Sequence, residues 1–108
     1  MSNADLLAAQ IFSAMGDETR LAVLARLGAA PASIMDLTRG QAMSRQAVTK
    51  HLHVLEKAGL VRWVRAGRQT LWSLRHQRLD EARAYLEHMS QRWDDRLDRL
   101  KALVEDDR

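Results

Sequence analysis

Apolar residues recur at helical spacing along most of this chain, and that rhythm is interrupted in one central stretch. Leu7, Ile11, Ala14 and Met15 predict a first helix over about residues 5–15. A second is expected over about 17–28. Asp17 is placed to cap it, Glu18 suits its positive end, and Leu21, Leu24 and Leu27 are read as its inward stripe. Ser33 and Asp36 have capping-box spacing for a third helix over about 33–39, with Ile34 and Leu37 as its apolar anchors. Gly40-Gln41-Ala42-Met43 reads as a short turn. A fourth helix then spans about 44–58, opened by Ser44 and closed by Gly59. Beyond it, Leu60 to Arg65 and Gln69 to Arg75 are rich in Val, Leu and Trp and flank Ala66-Gly67-Arg68, the pattern of two strands and a tight turn. Helical spacing resumes from about 77 to 105. Leu79, Ala82, Leu86, Met89, Trp93, Leu97, Leu100 and Val104 advance there by threes and fours, close to a seven-residue repeat.

The order helix, helix, helix–turn–helix, hairpin, long helix is that of a winged helix-turn-helix. The expected fold is mainly α with a small β-hairpin: helices 1–3, a reading helix over 44–58, a wing over 60–75 and a long C-terminal helix. The 108 residues read as a single DNA-binding domain, 1–108, with dimerisation helices at both ends. A domain of this size is modestly stable alone, so burial at a subunit interface would help it.

Charge sharpens the picture. The net charge is only +3, but residues 44–75 carry seven basic side chains against one acid, Glu56, while the segments before and after are slightly acidic. A solvated basic face would show the same excess, so charge alone does not decide for nucleic acid. The fourth helix does more. Val48, Leu52 and Leu55 fall on one side; Gln46, Thr49, Lys50, His53 and Lys57 fall on the other, with no acid among them. Gln pairs bidentately with adenine, Thr meets a base edge or a thymine methyl, and Lys reaches guanine or phosphate. Early residues of a reading helix enter the major groove most deeply. Arg45, Gln46, Thr49 and Lys50 are therefore the candidate base contacts. Ser44 is a candidate phosphate contact at the helix start, and His53 an outward-facing neighbour of DNA. His51 lies beside the apolar stripe and reads as a half-buried histidine satisfied by a backbone carbonyl. In the hairpin, Arg65 and Arg68 flank Gly67 and are candidate contacts to phosphates or a minor groove, whereas Trp63, Trp72 and Leu74 read as packing residues.

The seam of the last helix is longer than the core of one winged domain needs. Leu86, Met89, Trp93, Leu97 and Leu100, with Leu7 and Ile11 of the first helix, are the candidate homodimer interface. No residue pairing suggests a nucleophile and base, and there is no Gly-rich phosphate loop, so no enzyme is expected and no catalytic residue is assigned. The chain has no cysteine, which excludes disulfides and thiolate metal sites and suits a reducing compartment. His51, His53, His76 and His88 are not spaced as a chelate, so no metal site and no cofactor are expected. No apolar run is long enough for a membrane span, and the N-terminus lacks a signal-peptide pattern. A cytoplasmic protein is expected, with double-stranded DNA and a second copy of itself as partners. The sequence names no effector.

The segment Phe12-Ser-Ala-Met-Gly-Asp-Glu-Thr-Arg-Leu-Ala-Val-Leu24 resembles the "F-x-A-L-x-D-x-T-R-x-x-I-L" opening of the ArsR/SmtB repressors. Ser44-Arg-Gln-Ala-Val-Thr-Lys-His-Leu52, ending Leu55-Glu-Lys-Ala-Gly-Leu-Val61, resembles that family's reading helix, and Gly67-Arg68 with Leu71-Trp-Ser-Leu74 resembles its wing. The resemblance spans about residues 5–75. It implies a homodimeric winged-helix repressor, paired through its first and last helices, acting on a palindromic operator. It also implies that Asp17, Thr19 and Arg20 form a structural turn. Many family members respond to metal through cysteines or through a tight Asp-x-His on the last helix. Here there are no cysteines, and Asp80 and His88 are eight residues apart. The tail from Trp93 to Lys101 resembles a metal-free branch. Two other readings stay open: a winged-helix protein-interaction module without DNA binding, and a metal-responsive repressor using His and carboxylate ligands.

Overall fold

A computed structural model describes residues 1–40 and 42–106. In chain order it comprises α1 (Asn3–Met15), α2 (Glu18–Ala29), α3 (Ile34–Thr38), α4 (Arg45–Lys57), β1 (Val61–Ala66), β2 (Gln69–Leu74) and α5 (His76–Asp106). The mainly helical winged architecture expected from the sequence is the one observed. Gln41, part of the expected turn between α3 and α4, lies outside the described residues.

Each early helix starts where a side chain satisfies its free N–H groups. The Asp17 carboxylate accepts from the Arg20 amide at 3.0 Å, and Ser33 and Asp36 form a reciprocal capping box. A second box joins Ser2 and Asp5 and starts α1 two residues earlier than its apolar spacing suggests. Asp17, Thr19 and Arg20 do form a structural corner: the Arg20 guanidinium folds back onto the carbonyls of Ala14 and Ser13 at the end of α1.

Ile11, Val23, Leu27, Leu37, Val48, Leu52, Leu55, Leu60 and Val61 form the heart of the core. The stripe on α2 differs from expectation. Leu21 is 46% exposed, and Val23 takes its place beside Leu24 and Leu27. A stripe that advances only by threes winds around the helix. At about 100° per residue, Leu21 stands roughly 120° away from Leu27. On α1 the buried positions are Ala8, Ile11 and Ala14, with Phe12 and Met15 packed at the margin.

The hairpin pairs Val61 with Leu74 through to Ala66 with Gln69. Ala32, in the α2–α3 connection, bridges to Trp72 through two backbone hydrogen bonds of 2.8 and 3.0 Å. The root of the wing is thereby tied to the helix-turn-helix, and β1 is left as the open edge.

Helix α5 is unlike the others. It has 31 residues, of which only Ala82 is fully buried, and it stretches the molecule to 71 Å. Its first turns pack on α1. The rings of Phe12 and Tyr85 lie 6.3 Å apart, centroid to centroid. The Asp5 carboxylate beside the Tyr85 hydroxyl pushes the tyrosine pKa up. Beyond Tyr85 the seam residues Leu86, Met89, Trp93, Leu97 and Leu100 are all exposed.

Candidate nucleic-acid interface

Ser44 caps α4 by accepting the Ala47 amide at 3.1 Å. The amides of Arg45 and Gln46 ahead of it, in the open first turn, are then available to an anion. The core stripe Val48, Leu52 and Leu55 is fully buried, and this fixes which side of the helix faces out. Gln46, Lys50, His53 and Lys57 are exposed on that side, as expected, and Arg45 is exposed in the first turn. Thr49 is half-buried, and its hydroxyl donates to the Arg45 carbonyl at 2.7 Å. With its proton committed to the helix, Thr49 has only a methyl group and oxygen lone pairs to present.

The two histidines of α4 have partners the sequence did not specify. His51 is half-buried, but its neighbour is a carboxylate rather than a backbone carbonyl: Nδ1 lies 3.9 Å from Asp17 Oδ2. The Asp17 carboxyl is held below its ordinary range, chiefly by the Arg20 amide, with the charges of Arg20 and His51 adding to the effect. His53 is exposed, yet it leans toward the wing. Its Nδ1 is 3.4 Å from Glu56 Oε1, and its ring stands edge-on to Trp72 at 6.3 Å. The one acid of the central segment is therefore turned onto His53, on the flank of the reading face.

At the wing tip, Gly67 takes φ +63°, in the left-handed region that glycine enters without a Cβ penalty. Arg68 beside it keeps a negative φ, the pattern of a two-residue hairpin turn with glycine first. The Arg65 guanidinium folds over this turn onto the Gly67 carbonyl at 3.3 Å, and Arg68 is exposed. Of the three hairpin residues read as packing, Trp72 is buried and Leu74 half-buried, but Trp63 is 51% exposed. Trp63 belongs to the open edge strand, which no further strand covers.

The candidate contacts therefore lie on two adjoining surfaces, the outer face of α4 and the wing tip, with the wing tied to the α2–α3 connection by the Ala32–Trp72 bridge. The expected subunit-interface residues divide differently. Leu7, Leu86, Met89, Trp93, Leu97 and Leu100 are exposed, whereas Ile11 is 1% exposed inside the chain's own core. No group of three or more His, Asp or Glu side chains among the described residues is arranged to hold a metal.

Comparison with known proteins agrees with this geometry. A helix-turn-helix domain family matches residues 15–64, from the end of α1 to β1. The HTH-type transcriptional regulator NmtR of Mycobacterium tuberculosis is 36% identical over 92 residues, covering 82% of this chain and 77% of that protein. A transcriptional repressor SmtB homolog of Synechocystis is 33% identical over 66 residues, covering 61% of this chain and 50% of its own. The solved structure of an ArsR-like transcriptional regulator from Rhodococcus sp. RHA1 superposes with a TM-score of 0.87. It has 34% identity and covers 94% of this chain and 96% of its own. Such proteins are DNA-binding regulators and not enzymes. The chain belongs to the ArsR/SmtB family of winged helix-turn-helix transcriptional regulators.

Proposed function

We propose that this regulator is a homodimeric repressor that docks two copies of α4 into successive major grooves of a two-fold symmetric operator. The observation that carries the reading is the outer face of α4: five polar or basic side chains without an acid, beside a basic wing. Gln46 and Lys50 supply base contacts, with Arg45 and Thr49 at their flanks. Ser44 and the first-turn amides take a phosphate. Arg65 and Arg68 take the backbone or minor groove beyond. Leu7, Leu86, Met89, Trp93, Leu97 and Leu100 form the subunit interface, since a two-fold reader needs two reading helices and this seam sets five large exposed apolar side chains along α5. Ile11 contributes only to the core.

The regulator is further proposed to act without metal. Soft metals favour thiolates, and the chain has none. No helix among the described residues is long and apolar enough to cross a membrane. Action in the cytoplasm, where the operator DNA lies, fits the reading.

Salt titration of binding to an operator selected from a random library tests the function. Each neutralised phosphate releases counterions, so six to ten phosphate contacts weaken binding by about 10³–10⁵ between roughly 50 and 200 mM salt. An affinity that stays flat would favour the protein-interaction module instead.

A further inference from the structure

Trp63 is the one large aromatic side chain that the fold exposes beside the reading surface. The antiparallel register sets it directly opposite Trp72, and residues directly opposite each other share a face of the hairpin. Val61 and Leu74, the pair nearest the root, share that face too. Val61 and Trp72 are buried and Leu74 half-buried, so this is the side that packs onto the helices. Trp63 stands level with Trp72 on that face, but on the open edge strand, where the core ends.

One contact and the strand register fix where that is. The Trp72 ring stands edge-on to His53 of α4, so the face carrying Trp63 turns toward the reading helix. Arg65 follows Trp63 on the same face, two residues nearer the tip, about 7 Å along the strand. From α4 outward the surface runs His53, Trp63, Arg65, Arg68. The one acid of residues 44–75, Glu56, is engaged with His53.

When α4 occupies a major groove and the wing tip reaches the adjoining minor groove, the sugar–phosphate strand that separates the two grooves has to pass between them. The residue at that place meets deoxyribose and phosphate, not base edges. An indole offers what such a strand presents: a broad apolar face for the sugar and one N–H donor for a phosphate oxygen. We propose that Trp63 is a DNA-backbone contact, seating the strand between reading helix and wing and positioning the protein without reading sequence. This rests on the docking proposed above.

The test uses the full chain and its W63A and W63F variants, a library-selected operator and a random duplex of equal length. Because Trp63 is exposed, both variants should keep the wild-type circular dichroism and sedimentation. W63A should weaken both DNAs by a similar factor, about tenfold, the worth of one hydrogen bond to a charged group with its packing. The salt slope should not change, because no cation is removed. W63F, keeping the ring but losing the N–H, should fall between. In the wild type, DNA should shield an acrylamide-accessible tryptophan component that W63F lacks. Wild-type affinity in W63A, a loss confined to the operator, or a Trp63 signal equally accessible on DNA would each overturn the proposal. A change of oligomeric state in W63A would also overturn it, assigning the residue to a contact between copies. If the wild type binds no DNA at all, it is the underlying docking that fails, and the two failures are told apart.

Discussion

His51 on the reading helix lies with Nδ1 3.9 Å from the Asp17 carboxylate that caps α2. One side chain thus closes the start of α2, carries the Arg20 amide and faces α4. This relationship has a consequence in acid. A carboxyl held below its ordinary 3.8 in the folded chain binds fewer protons folded than unfolded. Its contribution to stability is present above that ordinary value and is lost as pH falls through the lowered, folded value. Asp5 and Asp36, held down chiefly by the backbone amides of Ser2 and Ser33, act in the same direction. D17N should therefore be less stable than wild type near neutrality and lose less on acidification. Urea midpoints for both proteins between about pH 7 and pH 2 check this. Parallel acid limbs would remove Asp17 from the account.

Gly59 ends the reading helix at φ +77°, and a Cβ there would come within 2.9 Å of the Arg78 side chain. Arg78 is not free to swing aside without loss, because its guanidinium meets Glu81 at 2.7 Å. Gly67, at φ +63°, has open space around it. Both G59A and G67A should carry the cost of a left-handed residue, about 1–2 kcal/mol, and G59A should carry the clash in addition. Thermal unfolding of G59A, G67A and the double variant G59A/R78A separates the parts. The double variant should recover toward G67A, and a G59A no worse than G67A would show that the Arg78 contact yields freely.

The elements were legible in the sequence because caps and breakers stand beside each apolar run: Asp17, Ser33, Ser44, Gly59 and Gly67 all sit at the boundaries observed. The outer face of α4 was legible for the same reason, since a stripe at four and seven residues fixes its opposite side. Contacts between elements were not. The place of Leu21 was misread from steps of three, which drift around the helix. The carboxylate beside His51 comes from a segment thirty-four residues away. Trp63 and Trp72 look equivalent along the chain, but Trp72 lies on the strand that Ala32 bridges and is buried, while Trp63 lies on the open edge and is exposed.

The reading helix and the wing should separate in DNA discrimination. Gln46→Ala and Lys50→Ala remove side chains on the groove-facing side of α4, and each should weaken the selected operator more than random DNA. A good base contact is worth about 1–3 kcal/mol of discrimination. Arg65→Ala and Arg68→Ala should weaken both DNAs nearly equally and lower the salt slope by about one each. Competition binding on the two DNAs at several salt concentrations measures all four. Equal losses for Gln46→Ala and Lys50→Ala would mean that α4 does not read bases.

The subunit interface should fail through α5. Trp93 and Leu97 are both more than half exposed, and neither supports the core of the winged domain. Truncating both should disrupt association, since losing a large buried side chain costs about 2–5 kcal/mol. Operator affinity should then collapse, while binding to random DNA falls less. Sedimentation of wild type and W93A/L97A at micromolar concentration decides. A wild type that sediments as a single chain yet binds a palindrome tightly would leave α5 without a partner helix.

An α5 that buries only Ala82 in its own chain has a consequence for regulation as well as assembly. On the homodimer reading, the species that recognises the operator exists only where two chains have met, because assembly shifts with protein concentration by mass action. At low abundance, operator occupancy then follows the square of the amount of protein rather than the amount itself. Expression level becomes part of the control: halving synthesis lowers operator occupancy about fourfold in that regime, and the strength of the pairing along α5 sets the abundance at which repression begins to fade.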